Sequence, residues 1–99
     1  MMEKKVGGNE ITFYIYDEAE TIPMKALPNM TWGEFVNSEY ANQNSMITDF
    51  RFKDYGSYNG ILFYHEEAMF DMTLYYDTSH YNNVKDYDVI EDGKTYYAW

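Results

Sequence analysis

One short segment combines residue types that could bind a metal ion or transfer protons: His65, Glu66 and Glu67, followed by Asp71. Imidazole and carboxylate groups are ordinary zinc ligands and ordinary general acids and bases. The second histidine of the chain, His80, is fifteen residues away from His65. Adjacent residues of a strand also point to opposite faces of a sheet. The spacing therefore favours a histidine at a strand end over a metal-binding or catalytic site.

The residues that other kinds of catalytic site require are absent from the sequence or lack the necessary spacing. The chain has no cysteine, which excludes thiolate nucleophiles, thiolate metal sites and disulfides. Its four serines lie outside the glycine-framed turn of a hydrolase nucleophile. Gly7-Gly8 precedes no lysine–serine pair of a phosphate-binding loop. The sequence predicts a protein that is not an enzyme and that holds no cofactor or metal.

Charge is the strongest global feature of the chain. Seventeen acidic and seven basic residues make a net charge of −10, and from Glu10 onward the acidic and basic residues number sixteen and five. A surface with this excess repels nucleic acid and anionic membranes and attracts basic protein surfaces. The alternative is that the acidity serves only solubility.

In the C-terminal half, acidic residues alternate with tyrosines, which supply rigid contact area in interfaces. Carboxylates on neighbouring strands would lie about 5–7 Å apart, a spacing comparable with that of phosphates along a nucleic-acid strand. The alternative to a partner-binding surface is an ordinary sheet face that contacts only solvent. The predicted partner-binding residues are Asp71, Tyr75, Asp77, Asp86, Tyr87, Asp88, Glu91 and Asp92.

The elements that must position these residues follow from the periodicity of the sequence. Apolar residues alternate with polar ones, which is typical of half-buried strands, and Pro23 indicates a strand that lies at an edge or is bulged. Phe50 and Phe52 are expected to point inward, and residues 55–60 are expected to supply a turn in which Asn59-Gly60 suits positive φ. The predicted strands span residues 10–17, 21–27, 47–54, 61–66, 68–77, 84–90 and 95–99.

A single helix is specified within residues 29–42. Thr31 is an N-cap, and Glu34 completes a capping box. Met30 and Phe35 stand at the positions of a hydrophobic staple. The spacing predicts a helix of about two to three turns, too short to persist alone, that ends at Asn42 or Asn44. The face that it would lay on a sheet consists of Trp32, Phe35, Val36 and Tyr40.

The order of elements predicts an α+β fold in which one short helix packs on a mainly antiparallel sheet. A β-grasp-like arrangement and an unrelated α+β roll both fit this order. Residues 1–9 are expected to form a flexible arm, and residues 10–99 a single domain. No apolar segment approaches the roughly 20 residues that span a bilayer. The helix is expected to be scaffold, with any function on the acidic strand faces and loops.

Three segments resemble small proteins and modules of bacteriophage origin: "ITFYI" (11–15), "MTWGEFVNSEY" (30–40) and "DVIEDGKTY" (88–96). In that group a short strand, a helix of the type TWGEWVNSxYN and a final hairpin of the type DVI.DG.TY recur. This chain differs by "YANQ" (40–43) in place of an Asn-Thr-Gly-like stop, and by a longer middle section. The resemblance implies a phage origin and a related fold. Some members of the group are modules of virion proteins.

A small, cysteine-free and strongly acidic protein of phage type is also similar in kind to anti-CRISPR proteins, many of which block a nucleic-acid channel with carboxylates. We therefore expect an inhibitor that binds a basic host protein, such as a nucleic-acid-binding CRISPR effector, in the bacterial cytoplasm. No direct contact with nucleic acid or membrane is expected. The alternative is a virion or tail-associated structural module.

Overall fold

Alternating apolar and polar residues build the sheet that dominates this protein, whose computed structural model describes residues 8–99. In β1, the residues Ile11, Phe13 and Ile15 are buried, while Thr12 and Tyr14 between them face outward. The six strands are β1 (Asn9–Ile15), β2 (Glu20–Ala26), β3 (Ile47–Asp54), β4 (Asn59–His65), β5 (Phe70–Tyr75) and β6 (Thr95–Ala98).

The strands lie in the order β2-β1-β6-β5-β4-β3. β1 and β6 are parallel, with Thr12 opposite Thr95, and every other neighbouring pair is antiparallel. β2 and β3 are therefore the two edges of the sheet. Pro23 lies on edge strand β2, as the sequence predicts, where the missing N–H of a proline is tolerated.

The sheet is curled into a half-barrel. Three strands separate β2 from β4, and in a flat sheet these two strands would lie about 19 Å apart. The carboxylate Oε1 of Glu20 on β2 is nevertheless 3.8 Å from Nε2 of His65 on β4. The curl therefore brings together the ends of strands that are distant in the sheet order.

The α+β expectation is wrong. Strands make up 47% of the chain and helical turns 13%, so a mixed, curled sheet replaces a helix-on-sheet, β-grasp-like layout. The helix, α1, spans only Trp32–Val36 and ends at Asn37 rather than at Asn42 or Asn44. Side chains that bind backbone carbonyls explain this early end: Asn37 Nδ2 donates to the Gly33 carbonyl, and Ser38 Oγ donates to the Phe35 carbonyl.

A separate 3₁₀ turn, Glu39–Asn42, follows α1 and carries Tyr40, which the sequence assigns to the same helix. The N-terminal predictions for α1 are confirmed. Thr31 accepts from the Glu34 N–H at 3.2 Å, and Glu34 accepts from the Thr31 N–H at 3.0 Å, which makes a capping box. Helix α1 and the 3₁₀ turn lie over the inner face of the sheet, whose core contains Trp32, Phe35 and Ala41.

Residues 84–90 do not form the predicted strand. Their backbone groups bind the segment that leads into α1 instead. Trp32 N–H donates to the Asp88 carbonyl at 3.0 Å, Gly33 N–H donates to the Asp86 carbonyl at 2.8 Å, and Ile90 N–H donates to the Met30 carbonyl at 2.8 Å. Neither side of β6 is open to them, because β1 and β5 already flank it.

Two expectations for individual residues of the β3–β4 hairpin are wrong. The turn itself lies within residues 55–60, as predicted, but its positive φ of +85° is at Gly56, and Asn59-Gly60 begins β4. Phe52 is 41% exposed, because it lies on edge strand β3. A register shift between Thr48 and Arg51 further disturbs the alternation of this strand.

The predicted arm lies largely outside the described residues, since residues 1–7 are not among them. Asn9, which was assigned to the arm, is the first residue of β1. Within residues 8–99, no helix is both long enough and apolar enough to cross a membrane.

Candidate functional site

The eight predicted partner-binding residues do not share one sheet face. Only Asp71 and Tyr75 belong to a strand, β5, and the other six lie in the connection between β5 and β6. Asp71 lies near the start of β5, whereas Asp77 lies beyond its end, in the loop that follows. Asp71 also pairs with Arg51 across the outer face. The structure therefore disperses the acidic sheet face that the sequence predicts.

Asp77 organises its own loop. Its Oδ1 accepts from the Ser79 N–H at 2.9 Å and from the Ser79 hydroxyl at 2.6 Å, and its Oδ2 accepts from Asn82 Nδ2 at 2.9 Å. These donors stabilise the ionised form and lower the pKa of the Asp77 carboxyl. A carboxylate with this many internal partners is positioned for structure rather than for a partner protein.

Asp86 and Asp88 are also held by internal hydrogen bonds. Asp86 Oδ1 accepts from Asn59 Nδ2 at 3.0 Å, which ties the loop to the start of β4. Asp88 Oδ2 accepts from the Tyr76 hydroxyl at 2.6 Å and from the Lys85 N–H at 3.0 Å. Burial, then the hydrogen bond and the negative charge of Asp88, raise the pKa of Tyr76. Lysine at either aspartate would therefore disrupt the loop.

The last three predicted residues differ in their surroundings. Asp92 Oδ1 accepts from the Glu10 N–H at 2.8 Å and so joins the final turn to β1. Glu91 is exposed, with its carboxylate 3.7 Å from Lys94 Nζ. Tyr87 is 69% exposed at the tip of its turn. Of the three, Tyr87 is the residue with most surface available to a partner.

The possible metal or acid–base cluster is not assembled either. His65 is fully buried, while Glu66 and Glu67 are exposed in the turn after β4, and Asp71 faces Arg51. His65 Nδ1 accepts from the Ala68 N–H at 3.3 Å, so a backbone donor already occupies this ring nitrogen. Among residues 8–99, no three potential ligands are grouped so that they could hold a metal ion.

The structure creates an acidic surface that the sequence does not reveal. The approach of Glu20 to His65 sets the turn after β1 beside the turn after β4. Of the five acidic side chains in and beside these two turns, only Glu20 has a lysine, arginine or histidine nitrogen within 4.0 Å among the described contacts, that of the buried His65. We call this set the acidic end, and it consists of Asp17, Glu18, Glu20, Glu66 and Glu67.

The outer face of the sheet carries a second surface that the sequence reading missed. It is made of rings from β1, β5, β6 and the β5–β6 loop, and Trp99 lies at its centre. Ring centroids of Trp99 are 4.6 Å from Tyr16, 5.2 Å from Tyr75 and 4.1 Å from His80. We call this set the outer aromatic cluster, and it consists of Tyr14, Tyr16, Tyr75, His80, Tyr97 and Trp99.

A hydrogen bond joins the β5–β6 loop to this cluster. Trp99 Nε1 donates to His80 Nδ1 at 3.0 Å, so His80 lies over the sheet. His80 has a positive φ of 75°, and the chain on either side of it is shaped by the Asp77 and Ser79 bonds. The outward positions of Tyr14 and Tyr16 in the strand pattern are the one sequence signal that points to this surface.

A surface cavity of about 840 Å³ lies beside β1 and β2 and offers no catalytic arrangement. Its charged residues are Glu10, Lys25 and Asp92. Glu10 pairs with Lys25 at 3.3 Å, and Asp92 accepts the Glu10 N–H. The charged groups of the cavity are thus bound to one another.

Comparisons of the chain with protein-family models, with curated proteins and with solved structures give no match.

Proposed function

We propose that the protein is an acidic inhibitor, not an enzyme, that binds a basic, nucleic-acid-binding surface of a host defence protein. Its place of action would be the cytoplasm of a bacterial host, and a CRISPR effector is one such target. The phage-like segments support this setting, and the acidic, cysteine-free composition supports the mode of binding. Nucleic acid itself would be repelled by a net charge of −10.

The observation that carries the proposal is the number of carboxylates without a cationic partner. Residues 8–99 include sixteen acidic residues, and four of them lie within 4.0 Å of a lysine, arginine or histidine nitrogen. Asp17, Glu18, Glu66 and Glu67 are exposed in two adjacent turns. A concentration of uncompensated charge accelerates association with an oppositely charged surface and makes binding sensitive to salt.

The alternative, a virion module that assembles by strand addition, receives less support. Strand addition would use an open sheet edge, such as that of β2, the strand that contains Pro23. Both backbone groups of Lys25, two residues further along β2, are already bound by the side chain of Gln43. A strand added there would have to displace this contact.

The test uses the purified protein as bait in a bacterial lysate, with elution at increasing salt. The charge-reversed variant carries Glu18→Lys and Glu67→Lys, because these side chains make no described internal bond. The matched control carries Glu39→Lys and Asp49→Lys, the same change of net charge at two exposed residues outside both turns of the acidic end.

We expect wild type and the control to capture the same nucleic-acid-binding protein, to release it at high salt and to inhibit its binding to DNA or RNA. The charge-reversed variant should neither capture this protein nor inhibit its binding to DNA or RNA. Equal capture by all three proteins, or capture that high salt leaves intact, would contradict the proposal.

A further inference from the structure

The outer aromatic cluster is joined to the acidic end through Tyr16. This residue directly follows the end of β1, and Asp17 and Glu18 follow it in one 3₁₀ turn, Tyr16–Glu18. Tyr16 stacks on Trp99 at a 34° interplanar angle and remains 50% exposed. An exposed ring and two exposed carboxylates are therefore adjacent, and α1 lies on the other side of the sheet.

We propose that the outer aromatic cluster docks an arginine-rich segment of the partner protein, with Asp17 and Glu18 pairing its guanidinium groups. The inference rests on the proposed function and specifies where the partner is held and by which chemistry. A guanidinium group stacks flat on aromatic rings and binds carboxylates through two parallel hydrogen bonds. The site offers both kinds of partner within one turn of chain.

Charge complementarity selects this occupant over two others. A second copy of the chain would bring its own net charge of −10 to the same surface and would be repelled. Nucleic-acid bases also stack on tyrosines, but their phosphates would face Asp17, Glu18 and the rest of the acidic end. A cationic and planar group satisfies both the rings and the carboxylates.

Arginine fits this surface better than lysine. The ammonium group of lysine is a compact and strongly hydrated charge, which gains less from a flat ring than guanidinium does. The Trp99 ring is contacted by Tyr16, Tyr75 and His80 at interplanar angles of 34–43°, so the cluster presents several ring faces rather than one closed cage. A chain with repeated guanidinium groups can occupy several of these faces at once.

The experiment titrates the whole protein with oligo-arginine and oligo-lysine peptides of equal length at low salt. The indole N–H resonance of Trp99 reports on the cluster directly, because its hydrogen-bond partner His80 is part of the proposed surface. The variant is Tyr16→Ser. The control is Tyr55→Ser, a tyrosine in the turn between β3 and β4 that is 68% exposed, compared with 50% for Tyr16.

We expect oligo-arginine to shift the Trp99 resonance and to bind several-fold more tightly than oligo-lysine. Tyr16→Ser should weaken the oligo-arginine affinity by about threefold, the effect of losing one exposed stacking contact, and Tyr55→Ser should leave it unchanged. Equal affinity for both peptides with an unmoved Trp99 resonance would overturn the aromatic docking and leave acidic binding standing. If neither peptide binds, the proposed function fails as well.

Discussion

The side-chain amide of Gln43 binds both backbone groups of Lys25. Gln43 Oε1 accepts from the Lys25 N–H at 2.8 Å, and Nε2 donates to the Lys25 carbonyl at 2.6 Å. The amide thus occupies the place of a neighbouring strand at the outer edge of β2. Open strand edges are templates for association with other chains, and this contact closes part of one edge.

Gln43→Ala should expose this edge. Net loss of these exposed hydrogen bonds should lower the free energy of unfolding by about 1 kcal/mol. Hydrogen exchange of the Lys25 amide, followed by NMR, should become faster because the amide then faces water. The control is Asn42→Ala, the exposed neighbour, which should leave the exchange rate unchanged. An unaltered Lys25 rate in Gln43→Ala would show that the contact does not protect the edge.

Charge reversal should separate carboxylates that hold the fold from those that face a partner. Asp88→Lys removes the acceptor of Tyr76 and of the Lys85 N–H, so it should cost about 2–3 kcal/mol of stability. Glu67→Lys makes the same change of charge at an exposed turn and should stay within about 0.5 kcal/mol of wild type. Urea unfolding of the two variants measures the difference. An equal loss of unfolding free energy in both variants would mean that the hydrogen bonds of Asp88 do not stabilise the fold.

Alkaline pH should destabilise the fold through tyrosines. Burial raises the pKa of Tyr75, Tyr76 and Tyr96 above the ordinary value of 10.0, and for Tyr76 the Asp88 bond adds to the effect. The folded protein then keeps protons that the unfolded chain releases. Stability is therefore fully present below pH 10 and falls as pH rises above it.

The measurement for this prediction is the free energy of unfolding in urea at several pH values from 8 to about 11. Tyr76→Phe removes one ionisable hydroxyl, so its stability should fall less steeply with pH than that of wild type. The exposed tyrosine variant Tyr87→Phe is the control and should keep the wild-type slope. A Tyr76→Phe slope as steep as that of wild type would contradict the assignment.

Replacement of Trp32 tests whether its ring or its N–H stabilises the core. The ring is fully buried, with centroid distances of 5.1 Å to Phe35 and 5.0 Å to Tyr96. Its Nε1 has no hydrogen-bond partner within residues 8–99. Trp32→Ala should lower the free energy of unfolding by about 3–5 kcal/mol. Trp32→Phe keeps a ring, gives up no hydrogen bond and should cost about 1–2 kcal/mol by thermal or urea unfolding. Similar costs for both would contradict a stabilising role for the part of the ring that phenylalanine retains.

Much of the local structure could be predicted because its determinants are close in sequence. Alternation identified the inward residues of β1, and the Thr31–Glu34 spacing identified the start of α1. The end of α1 was missed because Asn37 and Ser38 bind preceding carbonyls, a competition that the helical pattern of Tyr40 conceals. Residues 84–90 were read as a strand because their apolar spacing does not reveal that their backbone binds α1.

The candidate site depended on contacts between distant parts of the chain. Tyr16 and Trp99 stack only because β6 inserts beside β1, with Thr12 opposite Thr95. Glu20 reaches His65 only because the sheet curls. Neither relationship has a signal in local periodicity, which describes faces of single elements and not their neighbours.

The sequence by itself determined the acidity, the tyrosine content, the strand alternation and the helix cap, since each depends on residue type or on spacing of a few residues. The tertiary structure decided which carboxylates serve the fold and which face solvent. It also decided which rings meet on the outer face. The physical reason is that strand order and sheet curl come from backbone pairing and core packing between residues far apart in the chain.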